Sequence, residues 1–319
     1  MMTRPPRVVT IGETMAVFGS RTGTRLAHGP DTVLGIAGSE SNVAIGLRRL
    51  GIDVTWVGRV GDDSLGELIL RELSAERVTV VADIDLKRPT SLMVKESRTT
   101  DDTRVWYYRS GNAGGAMTPE QLDDERLICE ASLLHITGIS LALSATMAAT
   151  IQRAVEIARR SNVLVSFDVN YRERLWPMES ARAAYLELLP QVDILFASET
   201  EMELLFGGAR ELADLAKRAA ALGPNEVVIT RGADGAFAWI DGLKFEQAAV
   251  PVEVQDTVGA GDAFVAGYLA ERLKDESPEA SLRTGARAGA LACTSSSDWQ
   301  ALPTRRDLAR EADTDSVTR

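Results

Sequence analysis

Residues 256–270 read DTVGAGDAFVAGYLA. Gly259 and Gly261 flank Ala260 just before an apolar run, Ala263 to Ala266 with Tyr268 and Leu269, that has helical character. Glycine weakens a helix interior, so the pair belongs to a turn that opens the helix. The first turn of a helix leaves several backbone N–H groups unpaired, and with the positive end of the helix dipole they suit an anion such as phosphate. Asp262 stands in that same turn. A carboxylate there can be an N-cap or a base set beside a phosphate. An N-cap alone needs no pair of glycines, so the pattern points to a phosphoryl group and a proton acceptor held side by side.

The rest of the chain has to supply the frame that holds such a turn. Short β-branched runs at 7–12, 53–58, 132–137, 163–168, 193–198 and 226–230 read as buried strands. Between them, 41–51, 65–76, 144–161, 179–190 and 209–223 carry apolar residues at helical spacing. Strand alternating with helix implies a mostly parallel sheet covered by helices on both faces. Ligands then bind at the carboxyl ends of strands, where Asp168 to Arg172, Ser198 to Glu201 and Thr230 to Gly232 are polar or glycine-rich. Two stretches break the rhythm. Residues 14–29 and 90–111 read as antiparallel hairpins, the second around the polar turn SRTTDDT. Strands without partner helices suggest a small sheet lying over the main one as a lid; bare surface hairpins are the plainer alternative. The expected organisation is one domain over 1–319 with lid strands inserted at about 14–35 and 88–112. The polar C-terminal stretch READTDSVTR is expected to fray.

Composition narrows the function. A net charge of −11 argues against broad binding to nucleic acid or anionic membrane, while a few local arginines can still gather an anionic substrate. The first residues, MMTRPPRVVTIGETMAV, lack a signal peptide's apolar core, and no run reaches membrane-spanning length. Cys129 and Cys293 are isolated, without metal or disulfide spacing. A cytoplasmic location with two buried, inert thiols is the expectation. His28 and His135 are scattered and read as structural. The phosphate-binding signature of P-loop enzymes and the glycine fingerprint of dinucleotide-binding folds are both absent.

The string DTVGAGDAF resembles the second signature of the ribokinase-like, PfkB-type carbohydrate kinases. A separate stretch, AGSESNVAIGLRRLGIDVTWVGRVGDDSLG at 37–66, resembles the first, in which glycines and an Asn line a sugar site. Order and spacing agree over roughly residues 7 to 305. Within the family, SFDVNYRERLW at 166–176 and VWYYRSGNAG at 105–114 look like stretches of 2-keto-3-deoxygluconate kinases, parts of which fructokinases share. The resemblance implies a three-layer α/β sandwich with a β-sheet lid, and ATP-dependent phosphorylation of a sugar's terminal hydroxyl with Mg2+. A monovalent cation is a further requirement that the sequence leaves open.

Carried over residue by residue, the resemblance makes Asp262 the general base and the backbone of Gly259, Ala260 and Gly261 the anion hole. Asp256 and Thr257 precede the loop and are read as braces for it, with a place near a cation as the alternative. Gly38, Asn42, Tyr107, Arg109 and Arg172 fall on the sugar side, and the two arginines are candidate forks for a sugar-acid carboxylate. The plainer alternatives are a solvated lid residue for Arg109 and a structural ion pair for Arg172. Asn170, Ser198, Thr230, Gly232 and Gly235 fall on the nucleotide side, with apolar groups around Ala286 to Cys293 near the adenine. Glu201 matches an acid that acts on the metal through water; alone, it also fits a first-turn helix acid favoured by the dipole. Gly232 and Gly235 also fit a bare turn before AFAWI. One position departs: Met93 stands where 2-keto-3-deoxygluconate kinases commonly carry a Tyr, and it cannot donate that hydroxyl's hydrogen bond.

The leading expectation is a kinase for 2-keto-3-deoxygluconate or a close sugar acid. A fructokinase or other ketohexose kinase is the alternative enzyme, and a silent sugar-binding protein on the same fold is the alternative of another class. The large apolar groups on the lid strands predict a homodimer through the lid, or a higher homo-oligomer.

Overall fold

The computed structural model describes residues 5–20, 26, 32–99, 102–208, 211–295 and 297–310. His28 and nearly all of the C-terminal stretch expected to fray lie outside them. The strands are β1 (Arg7–Ile11), β2 (Met15–Ser20), β3 (Thr32–Ala37), β4 (Asp53–Gly61), β5 (Thr79–Asp85), β6 (Leu92–Thr99), β7 (Asp102–Tyr108), β8 (Leu133–Thr137), β9 (Leu164–Asp168), β10 (Ile194–Ser198), β11 (Glu226–Thr230), β12 (Ala236–Ile240) and β13 (Leu243–Gln247). The helices are α1 (Ser39–Arg49), α2 (Ser64–Ala75), α3 (Arg126–Cys129), α4 (Gly138–Leu143), α5 (Ala145–Arg160), α6 (Met178–Leu188), α7 (Glu199–Phe206), α8 (Leu212–Ala220), α9 (Ala260–Arg272), α10 (Pro278–Ala292) and α11 (Arg305–Arg310).

Nine strands form one sheet in the order β13-β12-β11-β10-β9-β8-β1-β4-β5. Every pairing from β11 to β5 is parallel, and β12 and β13 add an antiparallel edge. Neighbouring residues on a strand point to opposite faces. Val8 and Val228 therefore enter one core with Val43, Leu47, Phe264 and Tyr268. Val9 and Val227 enter the other with Ile151, Phe167, Tyr185 and Leu215. These two cores make the three layers expected from the sequence. Helix α5 shows how the pattern works locally. Ser144 caps its start by accepting from the Met147 N–H (3.0 Å). Met147, Ile151, Ala154, Val155 and Ala158 bury one stripe at helical spacing. Truncating Ile151 there to Ala would cost about 2–5 kcal/mol.

The two irregular stretches form a single second sheet, β3-β2-β6-β7. Strands β2 and β3 are antiparallel, as are β6 and β7, and β2 runs parallel to β6. The return strand of the first hairpin lies at 32–37 rather than before 29. This sheet is joined to the main body: the Arg174 guanidinium donates to the Val105 carbonyl (2.7 Å) and the Trp299 indole to the Ile36 carbonyl (3.1 Å). It is not a bare surface decoration.

The expectation for the thiols is corrected. Cys129 is exposed and Cys293 only partly buried. In the short α3, Ile128 takes the inward position, so the adjacent Cys129 faces out. His135 is fully buried on β8 beside the Ser166 hydroxyl (3.0 Å), and burial pushes its pKa down to about 3. Such a ring stays neutral. Among the described residues, no helix is long and apolar enough to cross a membrane.

Candidate active site

The turn before α9 has the form that its glycines suggest. Gly259 is the N-cap, with φ 80°. A Cβ there would lie 2.1 Å from the Asp298 carbonyl oxygen, so both the left-handed backbone and the close approach require glycine. Apart from its chain neighbours and the helix's own backbone, no atom of the described residues lies within 4 Å of where a Cβ on Gly261 would stand, so the space beside Gly261 is open. The Ala260 N–H already donates to the Thr257 carbonyl (3.2 Å). That directs anion binding toward Gly261 rather than equally to all three residues.

Asp262 follows in the first turn of α9 and is buried. Its Oδ1 accepts from the Ser39 hydroxyl (2.7 Å) and its Oδ2 from the Asn42 amide (2.8 Å). Both donors come from the start of α1, 220 or more residues away. They reach Asp262 because the chain before α1 can pack closely: a Cβ on Gly38 would lie 2.4 Å from the Glu13 carbonyl oxygen. Asn170 donates to the Ser39 oxygen (2.9 Å), so its amide also joins the chain of hydrogen bonds that ends on Asp262. Burial raises the pKa of Asp262, and the bonds from Ser39 and Asn42 and the charge of Arg172 pull it partly back. At the end of β9, Asp168 is held well above the usual carboxylate range by burial and by the charges of Glu201 and Asp262, with Arg172 opposing.

On the lid, Tyr107 is half exposed on β7. Arg109 is only 10% exposed and pairs with Glu13, whose fully buried carboxylate also accepts from the Ser91 hydroxyl (2.6 Å). The guanidinium lies 5.6 Å from the Tyr107 ring centre. Arg109 is thus no solvated lid residue, and its buried Nε has no hydrogen-bond partner among the described residues. The buried Asn42 Oδ1 is likewise without a partner. An unpaired donor and an unpaired acceptor, both buried, are costly unless a ligand completes them. Arg172 is exposed, yet its charge is felt at Asp262, Asp168 and Asp298. Met93 is buried with Met15 and Ala37, directly across the lid from Tyr107.

Toward the antiparallel edge lie the other candidates. Ser198 caps α7 in a capping box with Glu201, whose Oε2 accepts from the Ser198 N–H (2.7 Å) and hydroxyl (2.9 Å). The Glu201 Oε1 accepts from the Tyr171 N–H (2.7 Å), tying α7 to the loop after β9. The first-turn reading of Glu201 is therefore realised, whatever else it does. Thr230 ends β11. Gly232 begins a 3₁₀ turn closed by the bond from Arg231 N–H to the Gly235 carbonyl (2.8 Å). No group of three or more His, Cys, Asp or Glu residues could hold a metal ion among the described residues. A Mg2+ here fits only as a largely hydrated ion carried by phosphates, with Asp168 and Glu201 as the neighbouring acids.

Sequence reasoning missed several of these groups. Ser39 and Glu40 lie inside the quoted AGSESN stretch, and Glu13 lies two residues beyond the end of β1, so local position flagged the neighbourhood. Lys95 and Asp298 carry no local signal, because their contact joins residues 203 apart.

The model of the pfkB family carbohydrate kinases matches residues 5–305. A 2-dehydro-3-deoxygluconokinase of Bacillus subtilis is 34% identical over 311 residues, 94% of either chain. A 2-dehydro-3-deoxygalactonokinase of Haloferax volcanii is 33% identical over 288 residues, 89% of this chain and 90% of the relative. The crystal structure of a fructokinase with bound ATP from Xylella fastidiosa superposes with a TM-score of 0.84 at 23% identity, covering 97% of this chain and 99% of that one. The two-sheet architecture is thus the ribokinase-like fold.

Proposed function

The chain belongs to the pfkB family of carbohydrate kinases, and from that premise we propose that it transfers the terminal phosphoryl group of ATP to the terminal hydroxyl of 2-keto-3-deoxygluconate or a close sugar acid. One observation carries this reading: Asp262, held by Ser39 and Asn42, adjoins Gly261, beside which there is open space, with the charge of Arg172 acting on it and an unpaired donor of Arg109 on the lid. Asp262 takes the hydroxyl proton as the sugar oxygen forms its bond to phosphorus and the bond to ADP breaks. The amides of Gly259, Ala260 and Gly261 hold the phosphoryl oxygens, Gly261 foremost. Gly38, Asn42 and Tyr107 line the sugar, and Arg109 and Arg172 read its carboxylate. Asn170, Ser198, Thr230, Gly232 and Gly235 lie along the nucleotide. Mg2+ brought in with ATP would neutralise phosphate charge, and Glu201 would hold it through water.

The sugar-acid assignment is supported by the two relatives named for dehydro-deoxy sugar acids. Phosphorylation of a ketohexose such as fructose is the second reading. It is favoured by Met93, which leaves the lid short of a hydroxyl, and by the pairing of Arg109 with Glu13, which partly satisfies its charge. The exposed Val33, Leu34, Trp106 and Tyr108 of the lid support packing against a second copy of the chain, which sedimentation at several concentrations tests.

The deciding experiment is an ADP-release assay with ATP and Mg2+ over 2-keto-3-deoxygluconate, its galactonate epimer, fructose, ribose and adenosine. Preference for the sugar acids is expected. Preference for fructose or ribose keeps the Asp262 chemistry and discards the carboxylate-reading role of the arginines.

A further inference from the structure

Lys95 lies on β6 of the lid, yet its side chain is only 6% exposed. Its Nζ is 2.6 Å from Asp256 Oδ2 and 3.4 Å from Asp298 Oδ1. The two carboxylates belong to the two walls of the glycine turn. Asp256 enters the turn and, through its Oδ1, accepts from the Val258 N–H (3.0 Å). Asp298 lies beyond α10, and its carbonyl oxygen packs against Gly259. The chain between them is further joined by the N–H groups of Gln255 and Asp256, which donate to the Cys293 carbonyl (2.8 and 3.3 Å).

An ammonium so placed is costly to bury, and it is offset only by well-made ion pairs. Apolar packing serves stability as well or better, so the arrangement calls for an account beyond stability. Without the cation, two buried carboxylates would repel each other across the turn. Their separation fixes Val258 on one side and Gly259 on the other, and these residues aim the amides at the start of α9. Phosphoryl transfer depends on such aim: a displacement of about 1 Å costs on the order of a hundredfold in rate.

We propose that Lys95 is a positioning residue for phosphoryl transfer. Its ammonium clamps Asp256 to Asp298, and so ties the geometry of the anion-holding turn to the seating of the lid strand. This rests on the kinase reading of the turn, but not on which sugar is the substrate.

The test measures kcat and KM for whichever panel sugar the wild type turns over, so a wrong sugar assignment leaves the comparison intact. Lys95→Ala is expected to lower kcat by about 10- to 100-fold while KM for the sugar stays within about threefold, because Asp262 and its donors are untouched. Added ethylammonium should restore part of the lost kcat saturably and leave the wild type unaffected. Lys95→Ala can misfold because it strands two buried acids, so Lys95→Met combined with Asp256→Asn and Asp298→Asn provides a charge-neutral variant. That variant is expected to fold, as judged by circular dichroism and Tm, and to keep a low kcat. A triple-variant kcat within about threefold of wild type would overturn the proposal, as would a folded Lys95→Ala that ethylammonium fails to rescue.

Discussion

Helices α1 and α9 begin in similar ways and end up doing different things. Each is entered through a glycine, Gly38 or Gly259, and each has a buried acid in its first turn, Glu40 or Asp262. Glu40 turns into the protein. Its Oε1 accepts from the Thr137 and Ser140 hydroxyls (2.8 and 2.6 Å), and Gly12 packs against its carboxyl so closely that a Cβ there would overlap it. With only hydroxyls and its own backbone to set against burial, Glu40 is pushed up to about 7. Asp262 is desolvated too, but it receives an amide and a hydroxyl, feels the Arg172 charge, and stands beside open space at Gly261. Burial and a helix start therefore do not make a catalytic acid. Charge-favouring donors, a cation and an opening set Asp262 apart from Glu40, and the donors and the cation come from elsewhere in the fold.

Asp262→Asn is the strongest test of that contrast. It should lower kcat by about 10²–10⁴-fold, the range of a general base, with sugar binding still measurable by calorimetry. A kcat near wild type would remove the distinction between the two helix starts. Gly259→Ala comes next. The added Cβ meets the Asp298 carbonyl in a left-handed backbone, so a loss of about 1–3 kcal/mol in chemical denaturation is expected, together with a fall in kcat. No loss would mean that the turn can re-form without its glycine.

Arg172→Leu probes the cation. The raised pKa of Asp262 places the acid limb of kcat/KM above the usual carboxylate range, since the base works only when ionised. Arg172 favours the ionised form, so its removal should move that limb to still higher pH; an unmoved limb would show that Arg172 does not act on Asp262. Glu40→Gln is the smallest change to activity and sharpens the contrast from the other side. The folded carboxyl binds its proton up to about pH 7 against 4.5 for the ordinary group. Between those values the folded state holds more protons, and wild-type stability falls as pH rises. Glu40→Gln should thus gain up to about 3 kcal/mol at pH 8 and nothing below pH ~4, with kcat little altered. A constant difference at every pH would mean that Glu40 does not titrate in this window.

Much of the frame was legible because parallel strands buried on both faces read as continuous β-branched runs. The six strands read in this way recur as β1, β4, β8, β9, β10 and β11, with ends displaced by a few residues. Strands β5 and β13 were not read. Their residues are largely exposed or partly buried at the two sheet edges, where no strong apolar pattern is imposed. The lid hairpins were legible as hairpins of one small sheet, but the β2–β6 pairing that joins them was not, since it links strands over 70 residues apart.

The sequence by itself determined the glycine turn, the acid beside it and the alternation that sets them at strand ends, because turn chemistry and side-chain periodicity are local. The tertiary structure alone decided which groups meet. It brought Ser39 and Asn42 to Asp262, set Glu13 against Arg109, tied the Glu201 Oε1 to the Tyr171 N–H, and buried Lys95 between two aspartates. Each of these is a long-range pairing or a consequence of burial. Hydrogen bonds, desolvation and charge act through space, so their partners are fixed only when the chain is packed.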